Sequence, residues 1–162
     1  MLVPAISRKE ELAKKFAEEI YTEKYFYYTG YQHTHGLPKF DDEDNQYRWA
    51  IVRESDNEVV GYLAYFIDGV TDTARNFGLY SFGSGDITVG IDVLNHMKHL
   101  IRWHHRVEWC VVCGNPVEKV YDKFCERYGG NKVVLHKCMK AGDNSGKWYD
   151  SAIYEIVDYP PF

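Results

Sequence analysis

The stretch "VEWCVVCGNPVEKVYDKFCERYGG", residues 107–130, limits the fold of this chain more than any other. Its first six residues form an apolar run with the length of a buried strand. Asn115 suits the N-cap of a following helix, and Pro116 suits the first helical position, where its missing N–H is not needed. Glu118 completes a pattern like a capping box, and Gly129 supplies the left-handed residue that ends a helix. The stretch therefore predicts a buried strand that turns tightly into a helix.

Three helices with one apolar face each are predicted. In the helix after Asn115 the apolar face consists of Val117, Val120, Tyr121, Phe124 and Tyr128. Ser7 and Glu10 form a capping box, so a first helix is predicted from there to about Tyr21. A middle helix over residues 89–105 carries its apolar face on Val93, Leu94, Met97, Leu100, Ile101 and His104.

Six further segments have the β-branched and aromatic composition of strands. They are residues 2–7, 47–55, 58–68, 74–82, 132–140 and 148–159. After a short first strand, the order is a helix, three strands, a helix, a strand, a helix and two strands. This order predicts one α/β domain over residues 1–162.

Composition excludes several classes of function. The 162 residues carry a formal net charge of −5, which argues against nonspecific nucleic-acid binding. No apolar stretch approaches the roughly 20 residues of a membrane span, and the N-terminus lacks the layout of a secretory signal. We therefore expect a cytoplasmic protein whose four cysteines are reduced.

The cysteines and histidines do not predict a metal or redox site. Cys110 and Cys113 lie three apart in a predicted strand, so their side chains point to opposite faces, and no second CxxC completes a zinc site. His96 and His99 share a helical face, but the sequence nominates no further ligands for them. A structural role is predicted for both pairs.

The strand, the Asn-Pro turn, the amphipathic helix and its glycine end together resemble the last conserved block of the GNAT superfamily of N-acetyltransferases. The order of the other elements over residues 1–158 is also similar to that family. The resemblance implies an α+β fold with a mixed, mostly antiparallel sheet, helices on both faces and a splayed pair of parallel strands. It further implies acetyl-CoA as co-substrate.

In the family, a loop of pattern Arg/Gln-x-x-Gly-x-Gly/Ala holds the coenzyme A pyrophosphate with backbone N–H groups at a helix N-terminus. Aligned on the middle helix, Gly90 takes the first glycine, while Ile87 and Asp92 replace the Arg/Gln and the second small residue. We expect Asp92 in the first helical turn, where it would repel a pyrophosphate. The resemblance implies a cofactor site made of Ser81, Phe82, Gly83, Ser84, Gly85, Thr88, Val89, Gly90 and Asn115.

The resemblance also implies a mechanism, in which an amine attacks the thioester directly. Tyr121 is the positional candidate for the acid that protonates the departing thiolate, with a core role as the alternative. A backbone N–H of Ser81 or Phe82 would stabilise the oxyanion. Three carboxylates lie on or beside predicted strands without being singled out as the base: Glu54, Asp68 and Glu108.

Three functions stay open on the sequence. The first is an N-acyltransferase acting on a small-molecule or peptide amine; the others are a GNAT-fold binding or regulatory module without catalysis, and an unrelated α/β binding protein. The aromatic segment 25–31 and the acidic residues 41–44 are compatible with an acceptor pocket, or with packing and a solvated loop. A homodimer contact is compatible with the aromatic side chains of the closing hairpin: Trp148, Tyr149, Tyr154 and Tyr159.

Overall fold

The structure is a computed structural model that describes residues 1–19, 38–41, 43–82, 87–140 and 147–159. Its helices are α1 (Lys9–Glu19), α2 (Ile87–Trp103) and α3 (Glu118–Arg127), and a short 3-10 helix, Ala5–Arg8, precedes α1. Its strands are β1 (Leu2–Pro4), β2 (Gln46–Arg53), β3 (Glu58–Asp68), β4 (Thr73–Ser81), β5 (Arg106–Val112), β6 (Asn131–Lys140) and β7 (Trp148–Val157). None of the described helices is long and apolar enough to cross a membrane.

The strands form one seven-stranded sheet in the order β1-β2-β3-β4-β5-β7-β6. All neighbours are antiparallel except β4 and β5. Within these two fully described strands, the parallel ladder pairs only Thr73 with Arg106 and Ala74 with Val107. Beyond that point β4 and β5 separate, and we call the gap between residues 75–81 and 108–112 the cleft. The predicted fold class, with its splayed parallel pair, is confirmed.

Helices pack on both faces of the sheet. Helices α2 and α3 cover one face, where Val93, Met97 and Ile101 of α2 join Trp109, Tyr121 and Phe124 in a single buried cluster. Helix α1 covers the other face, where Leu12 and Phe16 pack against β2, β3 and the end of β4. We call these the α2/α3 face and the α1 face. Helix α2 contacts β2, β3 and β5 and therefore spans the cleft, while α3 contacts β6 and β7.

Three local predictions are wrong. Ser7 does not cap α1: its hydroxyl donates to the carbonyl oxygen of Pro4 at 2.7 Å, and the residue lies in the 3-10 helix. Val120 is 43% exposed, because the buried face of α3 consists of Tyr121, Phe124 and Cys125 and does not include it. Helix α2 ends at Trp103, so His104 lies beyond it. The predicted end of the first helix, about Tyr21, lies outside the described residues.

Gly61 sets the distance between α2 and the sheet. A Cβ at this position would lie 2.7 Å from the carbonyl oxygen of Tyr80, 2.9 Å from Ile51 Cδ1 and 3.3 Å from Val89 Cγ2. Val89 belongs to the first turn of α2, and Ser81, at the end of β4, pairs with Gly61. The missing side chain therefore lets the start of α2 approach the end of β4.

We expect Gly61→Ala to lower the free energy of unfolding by about 1–3 kcal/mol, because the backbone oxygen of Tyr80 cannot move aside cheaply. Urea denaturation measures this change. Gly78→Ala on β4 is the matched control: a Cβ there meets nothing within 4 Å, so stability should hold or rise by up to about 1 kcal/mol. Equal stabilities for the two variants would contradict the close approach.

Candidate active site

Asp72 lies at the closed end of the cleft, next to the residues through which β4 and β5 still pair. Its carboxylate oxygens accept hydrogen bonds from the backbone N–H of His105 at 2.9 Å and contact Nδ1 of His104 at 2.7 Å. Its carbonyl oxygen accepts the N–H of Arg106 at 3.2 Å. The pKa of Asp72 is lowered, first by His104 and then by the His105 amide. Asp72 thus ties the end of α2 and the start of β5 to the start of β4.

The end of β4 presents backbone groups to the cleft. The N–H of Phe82 donates to the carbonyl oxygen of Val60 on β3 at 2.8 Å, so this amide is directed away from the cleft. Because N–H groups alternate in direction along an extended strand, the Ser81 N–H points to the β5 side. Of the two amides predicted for the oxyanion, only that of Ser81 faces the cleft.

The β5 side of the cleft carries an aromatic cluster around Trp109. The Trp109 ring stacks on Tyr154, with centroids 5.2 Å apart, and meets Tyr121 edge-on at 6.0 Å. The indole Nε1 of Trp109 is buried and has no hydrogen-bond partner among the described residues. Sequence reasoning did not single out Trp109, because an aromatic residue in an apolar run reads only as core.

Tyr121 lies on the buried face of α3, within this cluster. Burial raises the pKa of its hydroxyl to about 12, and the nearby thiol of Cys110 adds to the shift. The hydroxyl is therefore protonated at neutral pH and is a proton or hydrogen-bond donor. The structure agrees with the predicted position of Tyr121; its role in catalysis stays a prediction.

Side-chain bonds hold the turn from β5 into α3, but the predicted N-cap is wrong: Val117 and not Asn115 occupies that position, without a side-chain cap bond. The side-chain oxygen of Asn115 accepts the N–H of Val117 at 3.1 Å, and the Glu118 carboxylate accepts the N–H of Gly114 at 2.9 Å. The helix begins at Glu118, so Pro116 precedes it instead of occupying its first position. Gly129 has a φ of 68° and ends the helix as predicted.

The predicted cofactor residues divide into three groups: the loop 83–85, the first turn of α2, and the strand ends with Ser81, Phe82 and Asn115. Gly83, Ser84 and Gly85 lie outside the described residues. Thr88, Val89 and Gly90 form the first turn of α2, where Val89 is buried in the core and Gly90 is exposed. Since β4 and β5 are parallel, this turn, Ser81 and Asn115 lie at the same end of the sheet, at the open mouth of the cleft.

Asp92 lies in the second turn of α2 and not in the first, which contains no acidic residue. Its carboxylate contacts the α-amino group of Met1, which also donates to the carbonyl oxygen of Val52 at 2.8 Å. We expected Asp92 to repel a pyrophosphate from the first turn of the helix. That expectation is wrong, because Asp92 lies in the second turn and its carboxylate is paired. The alignment could not anticipate this, because Met1 and Asp92 are 91 residues apart.

Of the three carboxylates considered as a base, two form ion pairs with arginines and the third lies away from the cleft. Glu108 accepts a bond from Arg106 at 3.1 Å, and Asp68 pairs with Arg75 at 2.9 Å. Glu54 is exposed in the turn after β2, away from the cleft. None of the three becomes the favoured base.

The four cysteines are free thiols, with Cys110 exposed and Cys113 half-buried. The pKa of both thiols is raised, chiefly because surrounding protein atoms displace water from the sulfur even where the residue is exposed, so both stay protonated at neutral pH. Among the described residues, no group of three or more His, Cys, Asp or Glu side chains is arranged to hold a metal ion.

Comparisons with known proteins agree with this geometry. The sequence matches no protein-family model and no curated protein. A GCN5-related N-acetyltransferase from Brucella melitensis superposes with a TM-score of 0.63 at 17% identity, over 97% of this chain and 75% of that one. This chain has the GNAT fold. The low identity establishes the fold and leaves the activity to be proposed.

Two further GNAT structures superpose over a smaller part of the chain. A chimera of the spermidine N-acetyltransferase SpeG from Vibrio cholerae and hSSAT gives a TM-score of 0.55 at 14% identity, over 71% of this chain and 69% of that one. RimL, a ribosomal L7/L12 α-N-protein acetyltransferase in complex with coenzyme A, gives 0.53 at 16% identity, over 72% and 64%. The separation of β4 from β5 is therefore the splay that the GNAT resemblance predicted.

We expect Asp72→Asn to lower the melting temperature at pH 7, because Asn has no charge and one acceptor oxygen in place of the two that meet His104 and His105. The folded-state pKa of Asp72 is depressed, so its contribution is present above the unfolded value near 3.9 and is lost as the pH falls through the folded value. Thermal melts should therefore show the gap to the wild type narrowing below about pH 4. Glu54→Gln, at an exposed carboxylate, is the control and should leave both melts unchanged; a gap that persists at low pH would contradict the assignment.

We expect Asn115→Ala to cost about 1 kcal/mol of stability, since the Val117 N–H loses its acceptor. Asn115→Asp retains an acceptor oxygen near the start of α3 and should cost much less. Urea denaturation separates the two variants. Equal losses would mean that the side chain acts through packing and not through the bond.

Proposed function

We propose that this protein transfers an acetyl group from acetyl-CoA to the primary amine of a small molecule or a peptide. The observation that carries the proposal is the cleft. Two adjacent parallel strands stop pairing beside a helix N-terminus, and an extended ligand would bind in the opening between them. The Ser81 amide lies on one side of this opening and the Tyr121 cluster on the other.

The residues at the mouth of the cleft fit acetyl-CoA as a substrate. The first turn of α2 has no acidic residue, and Gly90 leaves its surface open. Its backbone N–H groups, with those predicted for Gly83, Ser84 and Gly85, would bind the pyrophosphate. The Nε1 of Trp109, which has no partner in the part of the chain that the structure describes, supports a ligand with a polar atom beside β5.

The proposed reaction is direct attack. The nitrogen of the neutral amine forms a bond to the thioester carbonyl carbon, and the Ser81 N–H stabilises the negative charge that develops on the oxygen. The carbon–sulfur bond then breaks with its electron pair on sulfur. Tyr121, protonated at neutral pH, donates a hydrogen bond or a proton to the departing sulfur. The nitrogen is positively charged once the new bond has formed, and it loses one proton to a base that we leave unassigned.

The acceptor is proposed only as a class. Among the similar structures, one is named for spermidine and another for a ribosomal protein, so the same fold serves small and macromolecular amines. An alternative function is a GNAT-fold binding module without catalysis. Ile87 favours this alternative, because it is 77% exposed at the position where the family pattern has Arg or Gln.

Calorimetric titration with acetyl-CoA, followed by an amine-acceptor screen, tests the proposal. We expect micromolar binding, and we expect Tyr121→Phe to reduce kcat by about 10²-fold or more while leaving acetyl-CoA affinity unchanged. Tyr154→Phe is the matched control, since it removes a second hydroxyl from the same cluster, one that donates to Asp122 and not to the cleft. It should lower stability and retain kcat.

Each result has one meaning. No binding at millimolar acetyl-CoA would overturn the enzyme proposal. Binding without turnover of any amine would favour the binding module. Equal losses of kcat in Tyr121→Phe and Tyr154→Phe would remove Tyr121 from the proposed chemistry.

A further inference from the structure

Strand β6 ends the sheet of the described residues, and between its lysines it carries an exposed apolar triplet. It pairs with β7 on one side only. Three consecutive residues of this strand are exposed: Val133 at 55%, Val134 at 52% and Leu135 at 43%. Unpaired backbone groups beside exposed β-branched side chains form a template for another strand, which natural edge strands normally block with charge or proline.

The apolar side chains lie on both faces of the edge. Val133 pairs with Ile153 and Leu135 with Ser151, on the α1 face, while Val134 pairs with Ala152 on the α2/α3 face. A ligand pocket would use one face, but an added strand covers both. The pattern therefore fits strand addition better than small-molecule binding.

We infer that β6 pairs with β6 of a second copy of this chain, antiparallel and with the two-fold axis at Val134. A two-fold axis perpendicular to the sheet keeps each face on its own side, so the axis must pass through a residue position. Centred on Val134, Val133 lies opposite the partner's Leu135 and Val134 lies opposite its own copy. All three apolar side chains then meet apolar side chains.

The neighbouring registers are poorer. Centred on Val133, the axis sets Val134 against Lys132 and Leu135 against Asn131. Centred on Leu135, it sets Val134 against His136 and Val133 against Lys137. Cross-strand pairs of apolar residues contribute roughly 0.2–1 kcal/mol each relative to alanine, so one register stands out from its neighbours.

The charges beside this segment are already neutralised within each copy. In the favoured register the Lys132 ammonium lies opposite the partner's His136. Lys132, however, contacts Glu118 at 2.9 Å and Asp122 at 2.7 Å, and His136 contacts Asp150 at 2.9 Å. The regular part of β6 ends at the bulge after Leu135, where Lys137 has a φ of 47°. The pairing is therefore short and centred on the apolar triplet.

Two of the four aromatic side chains considered for a dimer contact in the closing hairpin are already packed within the chain. Tyr154 is fully buried, and Tyr159 packs on Tyr128 with ring centroids 5.2 Å apart. Trp148 is exposed and Tyr149 half-buried, in a strand that lies inside β6. The edge of β6 takes the place of that patch as the interaction surface.

Light scattering coupled to size-exclusion chromatography tests the inference on the full chain. The wild type is expected at twice the mass of one chain. Val133→Glu and Leu135→Lys should each raise the dimer dissociation constant by about tenfold or more, because each sets a charge against an apolar side chain of the partner. Val70→Glu, at a 96% exposed valine in the turn before β4, is the matched control and should remain dimeric.

Mixing the two charged variants tests the register. In the favoured register the new carboxylate at position 133 lies opposite the new ammonium at position 135, so the mixture should regain the dimer that neither variant forms alone. A monomeric wild type, or charged variants that stay dimeric, would overturn the inference. A mixture that stays monomeric would overturn the register centred on Val134, and circular dichroism of each variant excludes unfolding as the cause.

Discussion

This fold is organised around the opening between β4 and β5, where the two strands do not pair with each other. Two adjacent parallel strands would ordinarily pair along their length, yet here the ladder stops after Ala74 and Val107. Backbone groups in a protein interior need partners, so a separation of this kind is stable only where water or a ligand can enter. The rest of the fold holds this opening in place.

Two features define the opening between the strands: a set of bonds at its closed end and the helix packing at its open end. At the closed end, Asp72 ties the end of α2 and the start of β5 to the start of β4. At the open end, α2 approaches the sheet over Gly61, and α3 packs on the Trp109–Tyr154 stack. Both helices share one buried cluster, so the packing of the α2/α3 face is continuous across the cleft.

Local signals in the sequence predicted most of the fold. Asn115, Glu118 and Gly129 act within a few residues of their own positions, so their pattern is readable without a structure. Apolar periodicity located α2 and α3, but it overextended the buried face of α3 to Val120, because periodicity gives the direction of a side chain and not the extent of the surface that covers it. Ser7 shows the limit of a capping motif, since its hydroxyl found a carbonyl oxygen in the preceding turn instead.

The parts of the candidate site that the sequence could not predict depend on contacts distant in the chain. Asp72 meets His104 across 32 residues, and Asp92 meets the α-amino group of Met1 across 91. The hydrogen bond from Phe82 to Val60 decides which amide faces the cleft, and no sequence pattern records the direction of an amide. The family resemblance supplied Ser81 and Tyr121 as candidates, and their roles stay predictions; long-range pairing decided how the Ser81 amide is oriented.

The two ends of the sheet differ in a way that limits how large an assembly can become. The edge opposite β6 is β1, which has three residues and ends at Pro4, a residue with no N–H to offer a neighbouring strand. Growth by strand addition therefore has one usable direction. Two copies that meet through β6 leave only their β1 edges outside, so the association closes on itself and a fibre has no strand from which to continue.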